Sequence, residues 1–393
     1  MTALRLKKRE ERRLLAGHGW VFSNEIDTAI TPFKQLEPGS AVTIESANGK
    51  FLAHAYANPH SLITARVTGR RASQPFSATE LRSRLATALL LRQQRFEQDY
   101  YRLVYSEGDF LPGLIVDRYG DVLVVQITTF GMECYCDEIV DALAQLCSAR
   151  SILLRNDSPV RELEKLPLYQ KWVLGPPVDT LRICENNLWF EVPAQISQKT
   201  GWFYDHRESR KTLASWVKGK RVLDVYSYIG GFGIHAATMG AAHVTAVDVS
   251  QPAIDAAQAN AKLNNCDDRF DARCDDAVEA MRSMYEQGER FDFVVLDPPA
   301  FIKRRKDRDA GVRHYGLNNK LAMRLLDKGG VLLSASCSQA LGYDELLQLM
   351  RKAAPRDAMG LQILDTLQQG ADHPVNIAMP ETLYLKGAIA RVV

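Results

Sequence analysis

The sequence predicts an α/β fold with three regions: a small N-terminal β-domain, a small central α+β domain and a C-terminal Rossmann-like domain. Short strands broken by turn residues fill residues 1–72, and helical periodicity with paired strands follows over 73–184. Strands then alternate with helices over 185–393. This alternation is typical of a parallel sheet covered on both faces, whose ligands bind at the carboxyl ends of the strands.

The N-terminal region contains a hairpin signal. Alternating residues of 40–60 surround the dipeptide Asn48-Gly49, and a further strand pattern, L-I-T-A-R-V, follows at 62–67. Asn-Gly between alternating strands favours a tight two-stranded turn. We therefore expect residues 1–72 to form a small β-domain.

The central region begins with helical spacing. Five apolar residues share one side of the pattern over 73–100: Leu81, Leu85, Leu89, Leu90 and Phe96. Next, V-D-R-Y-G-D-V-L-V-V-Q (116–126) indicates two strands joined at Gly120, and a helix is expected over 135–148. The region ends near the proline-rich L-G-P-P-V at 174–178.

The third region supplies the sheet. Its strand candidates are 221–226, 243–248, 291–297 and 330–336, and its alanine-rich helical stretches include 252–264. Asp224, Asp248, Asp297 and Cys337 fall at the carboxyl ends of these strands, so we expect them to meet at one edge of the sheet.

The composition limits which classes of partner and which cellular compartment can be expected. The net charge is only +2, so any nucleic-acid surface must be local rather than global. The seven cysteines are scattered and lack C-x-x-C spacing, which favours free thiols in the cytoplasm over disulfides or a structural metal. We expect no signal peptide in the charged start and no membrane span, because no run of 18 apolar residues occurs.

A glycine cluster follows the first strand in R-V-L-D-V-Y-S-Y-I-G-G-F-G (221–233). Gly230, Gly231 and Gly233 allow a tight turn and a close approach to a ligand, but the spacing is not the dinucleotide fingerprint G-x-G-x-x-G. A carboxylate at Asp224 suits a ligand that carries an ammonium or a sulfonium and would repel a pyrophosphate. The alternative for Asp224 is a helix cap or turn residue.

Further carboxylates follow the next strands. Asp248 ends the second strand, where it can accept hydrogen bonds from ribose hydroxyls, and Asp276 or Asp275 can meet an adenine amine. A capping role is again the alternative for each. Together with the glycines and a later D-P-P, this set resembles the cofactor half of a class I S-adenosylmethionine methyltransferase.

The reacting half of the predicted site lies after the next two strands. In D-P-P-A-F (297–301) the prolines stiffen the loop and hold Asp297 at the sheet edge. The following strand delivers S-C-S with Cys337. A thiolate that attacks C6 of cytosine makes C5 able to accept a methyl group, and Asp297 is placed to hold N3 and N4 of the ring. The alternative for Cys337 is a small buried residue.

At this point the whole chain resembles a known family, the bacterial 23S ribosomal RNA 5-methylcytosine methyltransferases that carry an N-terminal PUA domain. The motifs that carry the resemblance are G-H-G-W-V-F-S-N-E-I (17–26), E-G-D-F-L-P-G-L-I-V-D-R-Y-G-D (107–121), Q-K-T-G-W-F-Y-D-H-R (198–207), S-Y-I-G-G-F (227–232), D-P-P-A-F, S-C-S and A-D-H-P-V (371–375). The resemblance implies a PUA-like domain over 1–72, a central domain over 73–184 and a methyltransferase domain over 185–393.

The resemblance also implies roles for individual residues. It makes Cys337 the nucleophile and Asp297 the residue that handles the base and borders the cofactor. The residues that it assigns to the S-adenosylmethionine pocket are Lys199, Thr200, Asp205, Arg207, Asp224, Tyr226, Ser227, Gly230, Asp248, Asp276 and Asp297. Arg207 or Lys199 could pair with the cofactor's carboxylate, and the alternative is a surface ion pair beside Asp205.

Three positions depart from the common pattern. Ala300 stands where many members have Lys, and Ile229 stands where Thr is frequent. Many RNA cytosine methyltransferases have a second cysteine that helps to release the product, whereas this chain has Pro298-Pro299 there. We therefore expect another base to remove the C5 proton.

A basic loop follows D-P-P-A-F directly. Five of the six residues in K-R-R-K-D-R (303–308) are basic, and Lys303, Arg304, Arg305 and Lys306 are the candidates for phosphate contacts beside a flipped or single-stranded base. A solvated loop is the alternative.

The sequence therefore predicts a cytoplasmic, S-adenosylmethionine-dependent methyltransferase that forms 5-methylcytosine in 23S ribosomal RNA. No metal site and no membrane partner are expected, and a homo-oligomer is compatible with the sequence. One alternative is a methyltransferase that acts on guanine N7 or another base nitrogen, since related enzymes share S-Y-x-G-G-F and D-P-P but need no thiol. Another is a non-catalytic RNA-binding assembly factor with a methyltransferase fold.

Overall fold

The structure, a computed structural model, describes residues 1–194, 200–355 and 358–393, and of Arg305 it describes only the backbone. The chain forms two compact units. The first contains residues 1–179, 200–202 and 371–382, and the second contains 180–194, 203–355, 358–370 and 383–393.

The first sheet of the first unit corresponds to the predicted β-domain. Its elements are β1 (Thr2–Arg5), α1 (Glu11–Leu15), β2 (Trp20–Phe22), β3 (Ser40–Glu45), β4 (Phe51–Ala57) and β5 (Ile63–Gly69), with the strand order β1-β3-β4-β5-β2. Strands β3 and β4 are antiparallel, and the predicted turn joins them with Gly49 at φ +79°. This left-handed backbone explains the glycine, because side chains disfavour that conformation.

The second sheet of the same unit has the order β10-β9-β8-β7-β6. Its elements are α2 (Ala78–Arg95), β6 (Tyr100–Tyr105), β7 (Leu114–Tyr119), β8 (Val122–Ile127), α3 (Phe130–Glu133), α4 (Cys136–Cys147), β9 (Ser151–Asn156) and β10 (Tyr169–Leu174). The predicted hairpin at Gly120 joins β7 to β8. Both predicted helices are present: α4 is one residue shorter at each end, whereas α2 covers only 78–95 of the helical region 73–100. Leu81, Leu85 and Leu89 are buried as expected, whereas Leu90 is exposed.

Buried polar contacts join these two sheets. The Tyr56 hydroxyl donates to the Pro112 carbonyl at 2.7 Å, and the Asn58 amide donates to the Glu164 carboxylate at 2.7 Å. Each contact links the first sheet to the second, so the two predicted N-terminal regions share one compact unit. Their separation at residue 72 stays a prediction.

A late segment of the chain also belongs to the first unit. Residues 371–382 lie in the third region of the sequence, yet the Asp372 carboxylate accepts the backbone N–H of Arg102 at 3.0 Å. The Thr382 carbonyl accepts the Tyr105 hydroxyl at 2.9 Å. The motif A-D-H-P-V therefore completes the unit that contains the central region.

The second unit contains a seven-stranded sheet in the order β15-β14-β13-β16-β17-β19-β18. Its elements are β11 (Thr180–Glu185), β12 (Leu188–Pro193), α5 (Arg207–Leu213), β13 (Arg221–Val225), α6 (Gly231–Thr238), β14 (His243–Asp248), α7 (Gln251–Leu263), β15 (Phe270–Cys274), α8 (Ala277–Glu286), β16 (Phe291–Leu296), α9 (Arg308–Arg324), β17 (Leu326–Ser336), α10 (Tyr343–Ala353), β18 (Leu361–Gln368) and β19 (Lys386–Val392). Strands β11 and β12 form a separate hairpin.

The four strands that the sequence predicts pair in parallel, but the sheet also has an antiparallel edge that the sequence did not predict. The five strands from β15 to β17 are parallel, but β19 pairs antiparallel with both β17 and β18. Antiparallel neighbours need no helical crossover, so the alternation of strands and helices that predicts parallel pairing is lacking before β19.

The strand order creates one reversal. From β13 the chain proceeds outward to β14 and β15, and then returns to the other side of β13 for β16 and β17. Ligands of open α/β sheets bind in the crevice at such a reversal, outside the carboxyl ends of the strands. The ends of β13 and β16 therefore define the candidate site.

Candidate functional site

The loop after β13 has an unusual backbone. Tyr226, Tyr228 and Gly230 all have positive φ angles, of 66°, 50° and 84°. Gly230 is the N-cap of α6, so the loop turns sharply and presents the helix N-terminus at the end of the sheet. Positive φ costs energy at residues with side chains, and such strain clusters at functional loops.

Asp224 holds the loop after β13 in place through a hydrogen bond to α6. Its side chain is buried, and one carboxylate oxygen accepts the backbone N–H of Gly233 at 2.8 Å. Burial raises the pKa of Asp224 to about 7, although the Gly233 hydrogen bond opposes the shift. A Cβ atom at Gly233 would lie 3.1 Å from this carboxylate, so glycine permits the contact. Asp224 thus anchors the start of α6, as its alternative interpretation proposed.

The carboxylates of Asp248 and Asp276 each accept hydrogen bonds from backbone N–H groups. Asp248 accepts the N–H groups of Tyr228 at 2.9 Å and Ser250 at 3.0 Å, which joins the end of β14 to the loop after β13. Asp276 is the N-cap of α8 and accepts the N–H groups of Val278 and Glu279. The capping alternative therefore describes Asp276, which is exposed.

Two polar residues of the loop differ in their hydrogen bonding. The Tyr226 hydroxyl donates to Asn318 at 2.8 Å, and burial raises its pKa to about 12. The Ser227 hydroxyl is buried and has no hydrogen-bond partner among the described residues. A buried hydroxyl without a partner is costly, so Ser227 is a good candidate for a ligand contact.

The residues of Q-K-T-G-W-F-Y-D-H-R divide between the two units. Lys199 lies outside the described residues. Thr200 belongs to the first unit, where its carbonyl accepts the Tyr119 hydroxyl at 3.0 Å. Asp205 belongs to the second unit, and its carboxylate accepts the Tyr384 hydroxyl.

Arg207 has a different partner from the one that the sequence suggested. Its guanidinium lies 3.6 Å from the buried Glu185 carboxylate, which Arg210 also holds at 2.5 Å. Burial opposes ionisation of Glu185, but the two arginines keep its pKa below the ordinary value. The structure therefore places Arg207 in a buried ion pair, because β11 brings Glu185 to α5.

The end of β16 carries an ion pair with a residue that the sequence interpretation did not single out. The carboxylate of Asp297 lies 3.2 Å from Nε2 of His206, whose ring is buried. Burial alone would lower the pKa of His206, but the Asp297 charge and hydrogen bond raise it above the ordinary value. Nδ1 of His206 makes no hydrogen bond within the described part of the chain.

Cys337 follows β17 directly and is partly exposed. Hydroxyls order the turn around it: the Ser338 hydroxyl contacts the Tyr315 hydroxyl at 2.8 Å and accepts the Ile302 N–H at 3.2 Å. Since β16 and β17 are parallel neighbours with Leu296 opposite Ser334, the D-P-P-A-F loop and the S-C-S turn leave the sheet side by side.

The basic loop lies on the surface. Lys303, Arg304 and Lys306 are exposed, and the side chain of Arg305 lies outside the described residues. Ile302 is buried, and its backbone N–H donates a hydrogen bond to the Ser338 hydroxyl. This contact holds the start of the loop beside the turn that carries Cys337.

The sequence matches two known families. Residues 164–380 match a family described as S-adenosylmethionine-dependent methyltransferases, and residues 4–70 match a PUA-like domain. A protein of Erwinia tasmaniensis named ribosomal RNA large subunit methyltransferase I is 35% identical over 99% of this chain and 98% of its own length. The chain belongs to this methyltransferase family.

A second relative agrees with this assignment, and solved structures share the fold. A protein of Pseudoalteromonas translucida with the same name is 37% identical over 100% of this chain and 99% of its own. A SAM-dependent methyltransferase from Streptococcus mutans shares the fold at 20% identity, with full coverage of both chains and a TM-score of 0.85. The M. jannaschii tRNA m1G37 methyltransferase also shares the fold, at 15% identity, a TM-score of 0.54 and coverage of 79% and 78%.

The methyltransferase site fits the family's cofactor, S-adenosylmethionine. The buried Ser227 hydroxyl needs a partner, Gly230 lets the backbone approach a ligand closely, and Asp248 lies at the next strand end. These three residues, with the N-terminus of α6, would hold the cofactor. No group of three or more potential metal ligands occurs in residues 1–194, 200–355 and 358–393, and no helix there is long and apolar enough to span a membrane.

The sequence interpretation of the methyltransferase missed two charged groups near its reactive residues. His206 stands inside a quoted motif, between Asp205 and Arg207, so its neighbours could have signalled its role. Lys386 is the single charge in L-Y-L-K-G-A-I-A (383–390), and an isolated charge in an apolar strand is a signal because burying it is costly.

Proposed function

We propose that this methyltransferase forms 5-methylcytosine in large-subunit ribosomal RNA through a covalent bond between Cys337 and C6 of the base. The observation that carries the proposal is the partly exposed thiol of Cys337 at the end of β17, beside the D-P-P loop on β16. Transfer to a base nitrogen needs no thiol, whereas activation of C5 needs a nucleophile at C6.

The proposed reaction has three steps: addition of Cys337 to the ring, methyl transfer to C5 and release of the product. The Cys337 thiolate forms the S–C6 bond, and a proton at N3 balances the charge that develops on the ring. When bound, S-adenosylmethionine supplies the electrophilic methyl group. Loss of the C5 proton to a base, return of the N3 proton to its donor and expulsion of the thiolate then restore the C5–C6 double bond and free Cys337.

The His206–Asp297 pair is suited to the proton at N3. The carboxylate of Asp297 lies 3.2 Å from Nε2 of His206, and the Asp297 charge, which raises the pKa of His206 above its ordinary value, favours the protonated ring. The pair therefore keeps a proton beside the D-P-P-A-F loop, where the proposed mechanism places the base. Asp297 contacts the base in this proposal, and His206 acts through Asp297.

A ribosomal RNA substrate also implies roles for the two domains that precede the methyltransferase domain. We propose that the PUA-like domain over 1–72 and the central domain over 73–184 position structured ribosomal RNA, and that the reaction takes place in the cytoplasm. The names of the relatives, ribosomal RNA large subunit methyltransferase I, support a large-subunit target.

The deciding experiment uses protein-free large-subunit RNA and labelled S-adenosylmethionine. We expect label in 5-methylcytosine after nuclease digestion and chromatography, and none with small-subunit RNA. Label in a methylated guanine or adenine would instead identify the nitrogen-directed alternative. Binding of the cofactor by calorimetry without any RNA methylation would favour the assembly-factor alternative.

The exposed loop should contribute to RNA affinity through its charge. Replacing Lys303, Arg304 and Lys306 together by alanine should weaken RNA binding and lower the slope of log affinity against log salt by about 2, because each lost phosphate contact removes about 0.7–0.9. Filter binding over a salt series measures this slope. The matched control is a further exposed lysine, Lys352 in α10, whose alanine variant should keep the wild-type slope. An unchanged slope in the triple variant would show that the loop is merely solvated.

A further inference from the structure

Lys386 lies beside the turn that carries Cys337. It is the first residue of β19 and pairs with Ser336 in the antiparallel register between β17 and β19. Its ammonium donates to the carbonyls of Ser338 at 2.6 Å and Leu341 at 2.9 Å. These two carbonyls follow Cys337 in the same turn, so one side chain holds the backbone that presents the thiol.

The surroundings of this ammonium are partly apolar. Burial lowers the pKa of Lys386 to about 8, and an electrostatic interaction with Cys337 opposes that shift. From α9, the Tyr315 phenol also interacts with Cys337, and burial raises the pKa of that phenol. From the end of β16, the Asp297 charge is balanced by His206. Lys386 thus contributes the positive charge that acts on the thiol from β19.

We infer that Lys386 is a positioning residue that fixes the Cys337 turn and stabilises the thiolate of Cys337 by its positive charge. The inference rests on the proposed function, since it explains how the nucleophile of that reaction is activated. A nearby cation favours the thiolate over the thiol, and the thiolate is the form that attacks. Lys386 forms no covalent bond and stays mostly protonated at neutral pH, below its pKa of about 8, while the proton of Cys337 passes to water.

The test measures the thiol itself and needs neither RNA nor cofactor. The full chain is alkylated with iodoacetamide over a pH series, and mass spectrometry of the peptide that contains Cys337 gives the rate at that residue. In Lys386→Gln, which keeps N–H donors but loses the charge, the midpoint of the pH profile should rise by about one unit. The rate near neutral pH should then fall about tenfold, because one unit is a factor of ten in thiolate.

Three further variants complete the design. Lys386→Arg keeps the charge and should restore most of the alkylation rate, whereas Lys386→Met should react as slowly as the glutamine variant. Lys352→Gln is the matched control and should be indistinguishable from wild type. A glutamine variant with the wild-type midpoint would overturn the inference, because hydrogen bonding alone would then explain the contacts of Lys386.

The two proposals fail in different ways. If wild type shows the Lys386-dependent thiol but makes no 5-methylcytosine, the proposed function is wrong while the inference holds. If 5-methylcytosine forms but the midpoint does not depend on the charge at residue 386, the inference is wrong while the proposed function holds. Thermal melting of each variant confirms that a changed midpoint belongs to folded protein.

Discussion

Replacing Cys337 by alanine is expected to lower the rate of 5-methylcytosine formation by about 10⁴-fold or more, the scale of losing the nucleophile in covalent catalysis. The reason is that cytosine C5 is a poor nucleophile until a group adds at C6. Single-turnover assays with large-subunit RNA measure the rate. Because the proposed cofactor contacts lie after β13 and β14, affinity for S-adenosylmethionine should stay within about twofold of wild type by calorimetry.

Two comparisons sharpen this prediction. Cys134→Ala removes an exposed cysteine of the first unit and should leave the rate unchanged. RNA that contains 5-fluorocytidine should accumulate as a covalent complex with wild type but not with Cys337→Ala, because the fluorine at C5 cannot leave as a proton. An active alanine variant, or a complex attached at another residue, would refute the covalent mechanism.

Replacing Asp109 by alanine should destabilise the first unit by about 3–5 kcal/mol, the cost of leaving a buried charge without its partner. The partner is Arg92, whose side chain is 2% exposed. Its guanidinium donates to both carboxylate oxygens of Asp109, at 2.7 and 2.6 Å, and to the carbonyls of Arg102 and Asp372. Without Asp109 the charge on Arg92 stays buried, and the two carbonyls are its remaining hydrogen-bond acceptors among the described residues.

The measurement is the shift of the urea unfolding midpoint, followed by a signal from the first unit such as the fluorescence of Trp20 in a variant without the other tryptophans. The matched control is Asp121→Ala, which breaks the ion pair of Asp121 with Arg150, two side chains that are about half exposed. Exposed pairs are worth about 0–1 kcal/mol, so this control should barely shift the midpoint. An equal shift for Asp109→Ala and Asp121→Ala would contradict the argument.

A double variant separates the cost of an unpaired charge from the value of the pair. Arg92→Met with Asp109→Leu removes both charges and should recover part of the stability lost in Asp109→Ala, since apolar pairs often replace buried ion pairs well. If the double variant is less stable than the single variant, the hydrogen bonds to Arg102 and Asp372 carry most of the effect.

Strand patterns in the sequence were sufficient for the architecture of the reactive centre. The predicted bounds of β13, β14 and β16 differ from the structure by at most one residue, because short runs rich in valine and aromatic residues and bounded by turn residues are a local signal for strands. Glycines that need a positive φ, such as Gly49, Gly120 and Gly230, could also be placed, since that requirement is local.

Side-chain partners that are distant in sequence could not be predicted in this way. Arg207 binds Glu185, and the carboxylate of Asp276 is occupied by the cap of α8. The antiparallel pairing of β19 with β17 likewise depends on which edge of the sheet is open. None of these contacts follows from periodicity or from a motif, because each is decided by packing between separate segments.

The motifs at 107–121 and 371–375, together with Lys386, separate most clearly what the sequence determines from what the tertiary structure decides. By itself the sequence determined four strands of the large sheet, the turn residues and the presence of a cysteine one strand after D-P-P-A-F, because these depend on residues close along the chain. Only the tertiary structure joined Asp109 of the central motif to Asp372 of A-D-H-P-V through Arg92, and brought Lys386 to the turn that carries Cys337. The physical reason is that charges buried in a fold need partners, and burial brings together residues that lie far apart in the sequence.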